Sequence, residues 1–162
     1  MTRPLLILAL VAVTGLPALA LAQNMTFGGM RADTSAPVEV AADSLSVNQA
    51  DGSAVFTGNV VIGQGEMRLS AATVHVTYGE GGQNRIRSLR AVGDVTLVSG
   101  EDAAEASEAV YDVEAGQVTL TGDVVLAQGA NVLTGDQMVV DLATGAAEVQ
   151  GRVRTILQPG GN

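Results

Sequence analysis

Residues 118–129 read Val-Thr-Leu-Thr-Gly-Asp-Val-Val-Leu-Ala-Gln-Gly, and this stretch determines how the rest of the chain is interpreted. Apolar side chains occur at Val118, Leu120, Val124 and Leu126, at even spacing around a central Gly-Asp pair, with polar residues between most of them. A spacing of two is the period of a β-strand that is buried on one face and solvated on the other. The stretch therefore predicts a strand with one apolar face and a glycine near its middle.

The same phrase returns elsewhere in the chain, at residues 55–62, at 89–97 and, in weaker form, at 147–153. The central glycines of the four copies are Gly58, Gly93, Gly122 and Gly151. Successive glycines lie 35, 29 and 29 residues apart. Recurrence at such intervals is typical of a repeat protein, and the period within each copy makes the repeating unit a strand.

Residues 1–22 have the order of a secretory signal peptide, with one positive charge, an apolar run over 5–13 and small residues up to the end. Cleavage there would leave Gln23 as the first mature residue. An uncleaved membrane anchor needs roughly 18 or more apolar residues, whereas Gly15 and Pro17 interrupt this run. We expect a cleaved signal peptide and export of the protein.

The remaining chain predicts a flexible arm at 23–37, one β domain at 38–158 and a short tail at 159–162. Turn residues recur about every eight to twelve positions, which favours an all-β barrel, roll or sandwich. Strands are expected at residues 38–47, 54–62, 67–70, 72–78, 105–113, 118–129, 135–142 and 147–157, with two short strands in 85–97. Turns are expected at 63–66, 79–84, 99–105 and 134–136. Residues 105–113 are helix-capable by composition, but their place in the repeat favours a strand.

The composition excludes several classes of function. The 162 residues include 17 acidic and 8 basic side chains, for a formal net charge of -9, and none of the basic residues is lysine. Such a chain is poorly suited to nucleic acid, because phosphate contacts need clustered basic residues. There is no cysteine, so disulfides and thiolate metal sites are excluded.

The apolar face of the predicted sheet is the candidate binding surface. Closing the sheet into a roll would line its interior with aliphatic side chains, which can form an ordinary dry core or hold an apolar ligand. At about 0.8 kcal/mol per methylene, burial of an acyl chain of about a dozen carbons contributes roughly 10 kcal/mol before ordering costs. The candidate inward residues are Phe56, Val60, Ile62, Val74, Val76, Val95, Leu97, Val118, Leu120, Val124, Leu126, Met138 and Val140.

The repeated phrase resembles the OstA-like, or LptA-type, family of periplasmic lipopolysaccharide-transport proteins. The motifs that carry the resemblance are Gly-Asn/Asp-Val at 58–60, 93–95 and 122–124, and the intervening segments 72–77 and 109–112. Together they cover roughly residues 38–157. The resemblance implies a twisted antiparallel β-jellyroll, open at both ends, whose apolar interior accommodates the acyl chains of lipid A.

The resemblance also implies a function without catalysis. A periplasmic protein of this family bridges the inner and outer membranes, stacking edge to edge with copies of itself and with homologous domains at either membrane. Terminal strands at 38–47 and 147–157 would leave unpaired edges suited to such stacking. The alternative from the residues alone is a structural β-solenoid or adhesin-like repeat that holds no ligand.

Few polar residues suggest a specific chemistry. Arg85 and Arg87 share a strand face and are candidate contacts for phosphorylated head groups, with solvated surface arginines as the alternative. His75 is the only histidine, so it has few ways to form a zinc site. No nucleophile elbow, P-loop or dinucleotide fingerprint occurs, and we expect no metal, cofactor or enzymatic activity. Parity does not decide whether Val110 or Tyr111 points inward.

Overall fold

The computed structural model describes residues 29–80 and 85–158. It is all-β, with ten strands in one antiparallel sheet. The strands are β1 (Glu39–Ala41), β2 (Ser44–Asn48), β3 (Ser53–Gln64), β4 (Met67–Tyr78), β5 (Ile86–Ser99), β6 (Asp102–Asp112), β7 (Gln117–Gln128), β8 (Asn131–Asp141), β9 (Ala147–Gln150) and β10 (Arg154–Ile156). The described residues contain no helix that is long and apolar enough to cross a membrane. The predicted signal peptide, residues 23–28 of the arm, loop residues 81–84 and the tail lie outside them.

The sheet is folded in two along a line that crosses every long strand near its middle. The pairing register shifts at that line between each pair of neighbouring long strands, from β3 through to β8. At one end of the sheet, β3 pairs with β1 on one side of this line and with β2 on the other side. At the opposite end, β8 pairs with β10 on one side of the line and with β9 on the other side. The fold line, which we call the corner, therefore divides the sheet into two half-sheets whose apolar faces form one core.

We name the half-sheets by their strand segments. Half-sheet A comprises residues 44–48, 53–57, 73–78, 86–92, 108–112, 117–121, 137–141 and 147–150. Half-sheet B comprises residues 39–41, 60–64, 67–71, 95–99, 102–106, 124–128, 131–135 and 154–156. This two-walled antiparallel roll is the β-jellyroll that the family resemblance implies, and it is one of the three architectures that the turn spacing favours.

The repeated Gly-Asn/Asp pair forms the corner. Gly122 has φ +86° and Asp123 has φ +46°, so both residues adopt a left-handed backbone conformation. Glycine carries no penalty there, and asparagine or aspartate tolerates it better than other side chains do. The same pair of positive φ angles occurs at Gly58-Asn59, at Gly93-Asp94 and, between β9 and β10, at Gly151-Arg152. The motif that identifies the repeat in the sequence is thus the motif that bends the sheet.

Each corner glycine also packs closely against a residue of the neighbouring part of the chain. A Cβ added at Gly122 would lie 2.9 Å from the Cβ of Ser107, and one at Gly93 would lie 3.0 Å from that of Ala72. At the two ends of the corner, the contacts are Gly58 with Asp43 and Gly151 with Asp136. Asp43 also accepts a hydrogen bond from Asn59 at 2.8 Å, and Asp136 forms an ion pair with Arg152.

The roll is open at both ends. Leu45 and Val47 of β2 lie opposite Phe56 and Ala54, so they share the inward face, yet they are 54% and 46% exposed. At the other end, Thr155 of β10 pairs with buried Leu133 and therefore lies on the inward face. Val153 and Leu157 lie two residues before and after Thr155, so they share that face. They are 51% and 55% exposed. The apolar interior therefore continues to the surface at the two terminal strand pairs.

Several predicted strand boundaries were wrong for one shared reason. The breaks expected between 70 and 72, within 85–97 and at 134–136 are bends inside the continuous strands β4, β5 and β8. Hydrogen bonding resumes on both sides of each bend, because a bulge absorbs the extra residue. The single strands expected at 38–47 and 147–157 are instead divided at the corner, into β1 with β2 and β9 with β10.

Two predicted turns are shorter than expected, and one strand is confirmed. Residues 99–105 were expected to form an acidic turn, but β6 begins at Asp102, whose carboxylate is buried and accepts a hydrogen bond from Gln128 at 3.1 Å. The turn expected at 63–66 is also shorter, because β3 continues through Gln64. Residues 105–112 form a strand, so position in the repeat overrides their helical composition.

Replacing Gly122 with alanine tests the corner. We expect the free energy of unfolding to fall by about 2–4 kcal/mol, because alanine adds both left-handed backbone strain and a close contact with Ser107. Gly129 is the matched control, since it has φ +56° and open space around its Cβ position. Gly129→Ala should cost only about 1 kcal/mol. Equal losses in urea titrations of the two variants would contradict a special role for the corner.

Candidate functional site

The interior between the two half-sheets contains the residues that the sequence nominates. All of the predicted inward residues except Phe56 are at most 3% exposed. Phe56 is only partly buried because it lies opposite the exposed Leu45 of the end strand β2. The structure thus places the whole predicted set on the inward face. It also shows the middle of the interior filled by the protein's own side chains.

Sequence reasoning missed part of this interior. Buried residues outside the predicted set include Met67, Leu69, Leu89, Tyr111, Leu133 and Leu142. In β4, β6 and β8 the inward parity changes at the bend, so that Ala104 and Ala106 are followed by Ala109 and Tyr111. The alternation of apolar and polar residues in the sequence does not reveal this change of inward parity. Tyr111 is therefore the inward residue of the pair that parity left undecided, and it is 1% exposed.

Opposite the corner, the two half-sheets end in two rows of turns. Row A, from half-sheet A, comprises the connections 49–52, 113–116 and 142–146, together with residues 79–80 and 85, the described part of the connection between β4 and β5. Row B, from half-sheet B, comprises the turns 65–66, 100–101 and 129–130. Strand pairing does not join the two rows anywhere in the described ranges. We call the gap between them the mouth of the roll.

Residues 29–36, which we call the strap, cross the mouth. On the row A side, the backbone N–H of Ala32 donates to the carbonyl of Leu142 at 3.0 Å, and Arg31 Nε donates to the carbonyl of Thr144 at 3.0 Å. On the row B side, the hydroxyl of Ser99 donates to the carbonyl of Arg31. The described part of the predicted flexible arm is thus packed against both half-sheets in this structure.

The strap contributes one side chain to the core. Met30 is 3% exposed and belongs to the same buried cluster as the interior residues. Its neighbour Gly29 is so close to the carboxylate of Asp102 that no Cβ would fit in the present arrangement. Burying a methionine side chain is worth about 1.5–3 kcal/mol, and each added hydrogen bond about 0.5–1.5 kcal/mol. The strap is therefore held by a small number of local interactions.

Gln64 connects the strap to both half-sheets. It lies at the end of β3 in half-sheet B and is 2% exposed. Its Nε2 donates to the carbonyls of Thr34 at 3.3 Å and Ala36 at 3.0 Å. Its Oε1 accepts a hydrogen bond from the hydroxyl of Tyr111, which projects from half-sheet A. Burial raises the pKa of Tyr111 above its ordinary value, so the neutral donor form is favoured.

Arg85 and Arg87 lie together at row A. Both are exposed, and with Ile86 and Val113 they line a surface concavity. Glu80 and Glu114 line it as well, and Arg85 Nη2 is 3.9 Å from Glu114 Oε1. The acidic side chains balance the two arginines in formal charge. The arrangement offers guanidinium groups beside apolar surface at the mouth.

The other polar candidates are dispersed over the outer surface. His75 is exposed on β4, and Arg90 forms a two-bonded ion pair with Glu108 at 2.7 and 2.8 Å. The hydrogen bonds between the two side chains, together with their charge attraction, lower the pKa of Glu108 and raise that of Arg90. Over residues 29–80 and 85–158, no three His, Asp or Glu side chains come together as a group that could hold a metal ion.

The fold and the interior define a class of protein: an antiparallel β-jellyroll, open at both ends, with a continuous apolar interior between two half-sheets. The family model described as "LptA/(LptD N-terminal domain) LPS transport protein" matches residues 39–146. That match covers the greater part of the roll, and the chain belongs to this family of lipopolysaccharide (LPS) transport proteins.

The chain is similar to one protein in sequence and to another in fold. The chain is 31% identical over 111 residues to an uncharacterized protein of Rhizobium meliloti (strain 1021), covering 65% of this chain and 60% of that protein's length. The fold of this chain is similar to that in the crystal structure of LptH from Pseudomonas aeruginosa, described as the LptA homologous periplasmic component of the lipopolysaccharide transport device. The TM-score is 0.69 at 23% identity, covering 79% of this chain and 99% of LptH.

Replacing Tyr111 with phenylalanine tests the bond between the half-sheets. The variant should lose about 1–3 kcal/mol of stability at neutral pH, because the buried Gln64 oxygen loses its donor. Stability gained from keeping Tyr111 neutral is present below pH 10 and is lost as the pH rises toward the raised folded-state pKa. Urea titrations at a series of pH values should therefore show a steeper alkaline decline for the parent than for the variant. Parallel pH profiles would contradict this account.

Proposed function

We propose that the protein is a periplasmic lipid carrier that conveys lipopolysaccharide from the inner to the outer membrane by shielding its acyl chains between the half-sheets. One observation chiefly supports this proposal: the apolar interior runs through the roll and reaches the surface at both ends, at Leu45 and Val47 and at Val153 and Leu157. A protein with only a structural core gains nothing from leaving such residues exposed, because burial of apolar surface away from water stabilises the folded state. Membership of the lipopolysaccharide-transport family supports lipopolysaccharide as the class of cargo.

The ends of the sheet support a role in bridging. Within the described residues, β1 and β2 pair only with β3, and β9 and β10 pair only with β8. Each end therefore presents unpaired backbone groups, which can accept a strand from another chain. A second roll docked at such an edge would extend the sheet and the apolar interior together. We propose homologous β-jellyroll domains of inner-membrane and outer-membrane components as partners, together with head-to-tail self-association.

Carriage rather than catalysis accounts for the chemistry of the interior. Its buried side chains are apolar apart from Gln64, Ser99, Asp102 and the hydroxyl of Tyr111, and these groups bond to neighbouring residues. A signal peptide at 1–22 would deliver such a carrier to the periplasm. We accordingly propose a non-enzymatic protein that needs no cofactor. A structural repeat without a ligand is the result to be distinguished by experiment.

Photocrosslinking in cells tests the cargo. A photoreactive residue at Leu120, which is fully buried, should give an adduct with lipopolysaccharide, and the same residue at Thr119 should not, because neighbouring strand residues face opposite sides. The readout is a shifted band that is recognised by an antibody to lipopolysaccharide. Adducts at neither position, in an exported and folded protein, would favour the structural repeat. Equal adducts at both would contradict the inward assignment.

We further propose that Arg85 and Arg87 contact the phosphorylated head group at the mouth. Replacing both with serine should weaken binding of lipid A only a few-fold, since an exposed ion pair contributes about 1 kcal/mol or less. Binding of dephosphorylated lipid A should not change. Calorimetric titration of both lipids measures the difference, and Arg90→Ser serves as the control because Arg90 is engaged by Glu108. An equal loss for both lipids would exclude a head-group role.

A further inference from the structure

The filled middle of the interior poses a problem for any acyl cargo. The inward residues in the middle of the roll, such as Leu120 and Val74, are fully buried. An acyl chain can occupy that space only if the half-sheets separate or the residues that fill it move. The corner holds the half-sheets together on one side, because the strands are continuous there. Any separation of the half-sheets therefore has to take place at the mouth.

The strap is the structural element that crosses the mouth. It bonds to Leu142 and Thr144 on row A and to Ser99 and Gln64, the strand residues that directly precede two of the row B turns. Outside the strands, no other segment within residues 29–80 and 85–158 has backbone atoms that are hydrogen-bonded to both sides of the mouth. Opening the mouth would therefore stretch or break the strap contacts before it disturbs any strand pairing.

The strap is also suited to leave without unfolding the roll. Met30 is its only buried side chain, whereas Arg31, Asp33, Thr34 and Ser35 are exposed. Most of its bonds use its own backbone carbonyls, which water can satisfy once the strap is displaced. It forms no part of a β-strand. Its release would free the apolar volume that Met30 fills, on the same face as the cargo site.

Gln64 couples release of the strap to separation of the half-sheets. Its amide nitrogen holds the strap while its amide oxygen holds Tyr111 of the opposite half-sheet. Rotation of this side chain to accommodate a cargo chain would loosen both contacts together. Ser99 and Asp102 flank the same region of half-sheet B and contact Arg31 and Gly29 of the strap.

We propose that the mouth is a lateral port for acyl cargo and that residues 29–36 are its gate, with Met30 as the plug and Gln64 as the latch. This inference rests on the proposed function, because it concerns how the same interior is loaded. In the empty protein the strap keeps the apolar interior from water. Cargo displaces Met30 and takes its place, and the strap closes again when the cargo leaves.

A disulfide provides the test, because the chain contains no cysteine of its own. In Gly29→Cys/Asp102→Cys the two new side chains replace a pair already in close contact, and oxidation would tie the strap to the first residue of β6, beside Met30. We expect the oxidised variant to take up a dansyl-labelled fatty acid about tenfold more slowly than its own reduced form in stopped-flow fluorescence. The reduced form is the matched control for any effect of the substitutions themselves.

A second variant acts in the opposite direction. Met30→Ser removes the plug and should speed uptake about tenfold, since a buried methionine contributes enough to slow opening by at least that factor. Thr34→Ala is the control, because Thr34 is exposed and its bond to Gln64 uses its backbone carbonyl. Uptake at the parent rate in both the oxidised disulfide variant and Met30→Ser would overturn the gate.

The outcomes separate the gate from the carrier function. A parent protein that fails to bind the fatty acid and also fails to bind lipopolysaccharide at saturation would refute the proposed function itself. A parent protein that binds both, with rates unaffected by the lock or by loss of the plug, would refute the gate alone. Slower uptake on oxidation that is reversed by reduction would support both.

Discussion

The left-handed backbone at the corner is the constraint on which the rest of the structure depends. A flat antiparallel sheet of this length would leave its apolar face exposed, and only a bend in every strand lets one half cover the other. The pairs at Gly58-Asn59, Gly93-Asp94 and Gly122-Asp123 supply that bend at the same level in β3, β5 and β7. The intervening strands follow it through a change of inward parity. The interior, the open ends and the mouth are all consequences of this alignment.

The sequence was sufficient to predict the parts of the fold that depend on period and on special backbone angles. Alternation identified the inward residues of β3 and β7, because the two-residue Gly-Asn/Asp insertion preserves their parity. It could not identify those of β6, where Ala106 and Ala109 both point inward and the composition is equally suited to a helix. The longer interval between Gly58 and Gly93 is taken up by the 79–85 connection and the longer strands beside it.

The strap could not be predicted from sequence patterns, for a different reason. Residues 29–36 have no period, and a segment without a period resembles a mobile arm when it is considered alone. What holds it is the surface that the folded roll presents: carbonyls at Leu142 and Thr144, the Ser99 hydroxyl and the amide of Gln64. None of these partners is near it in sequence. The sequence predicts a polar turn at Gln64, and only the burial of its side chain in the folded roll shows its role.

The corner has a consequence for how such a protein can vary in size. Every corner glycine is related to the next by the same step along the roll, two strands further on, and each step adds the same slice of interior. The cross-section is therefore fixed by the strand length, whereas the length of the roll is free to change by whole slices. A docked neighbour that continues the sheet would be equivalent to further slices of the same roll. The length of such an extended roll is then set by the number of units and not by the design of any one of them.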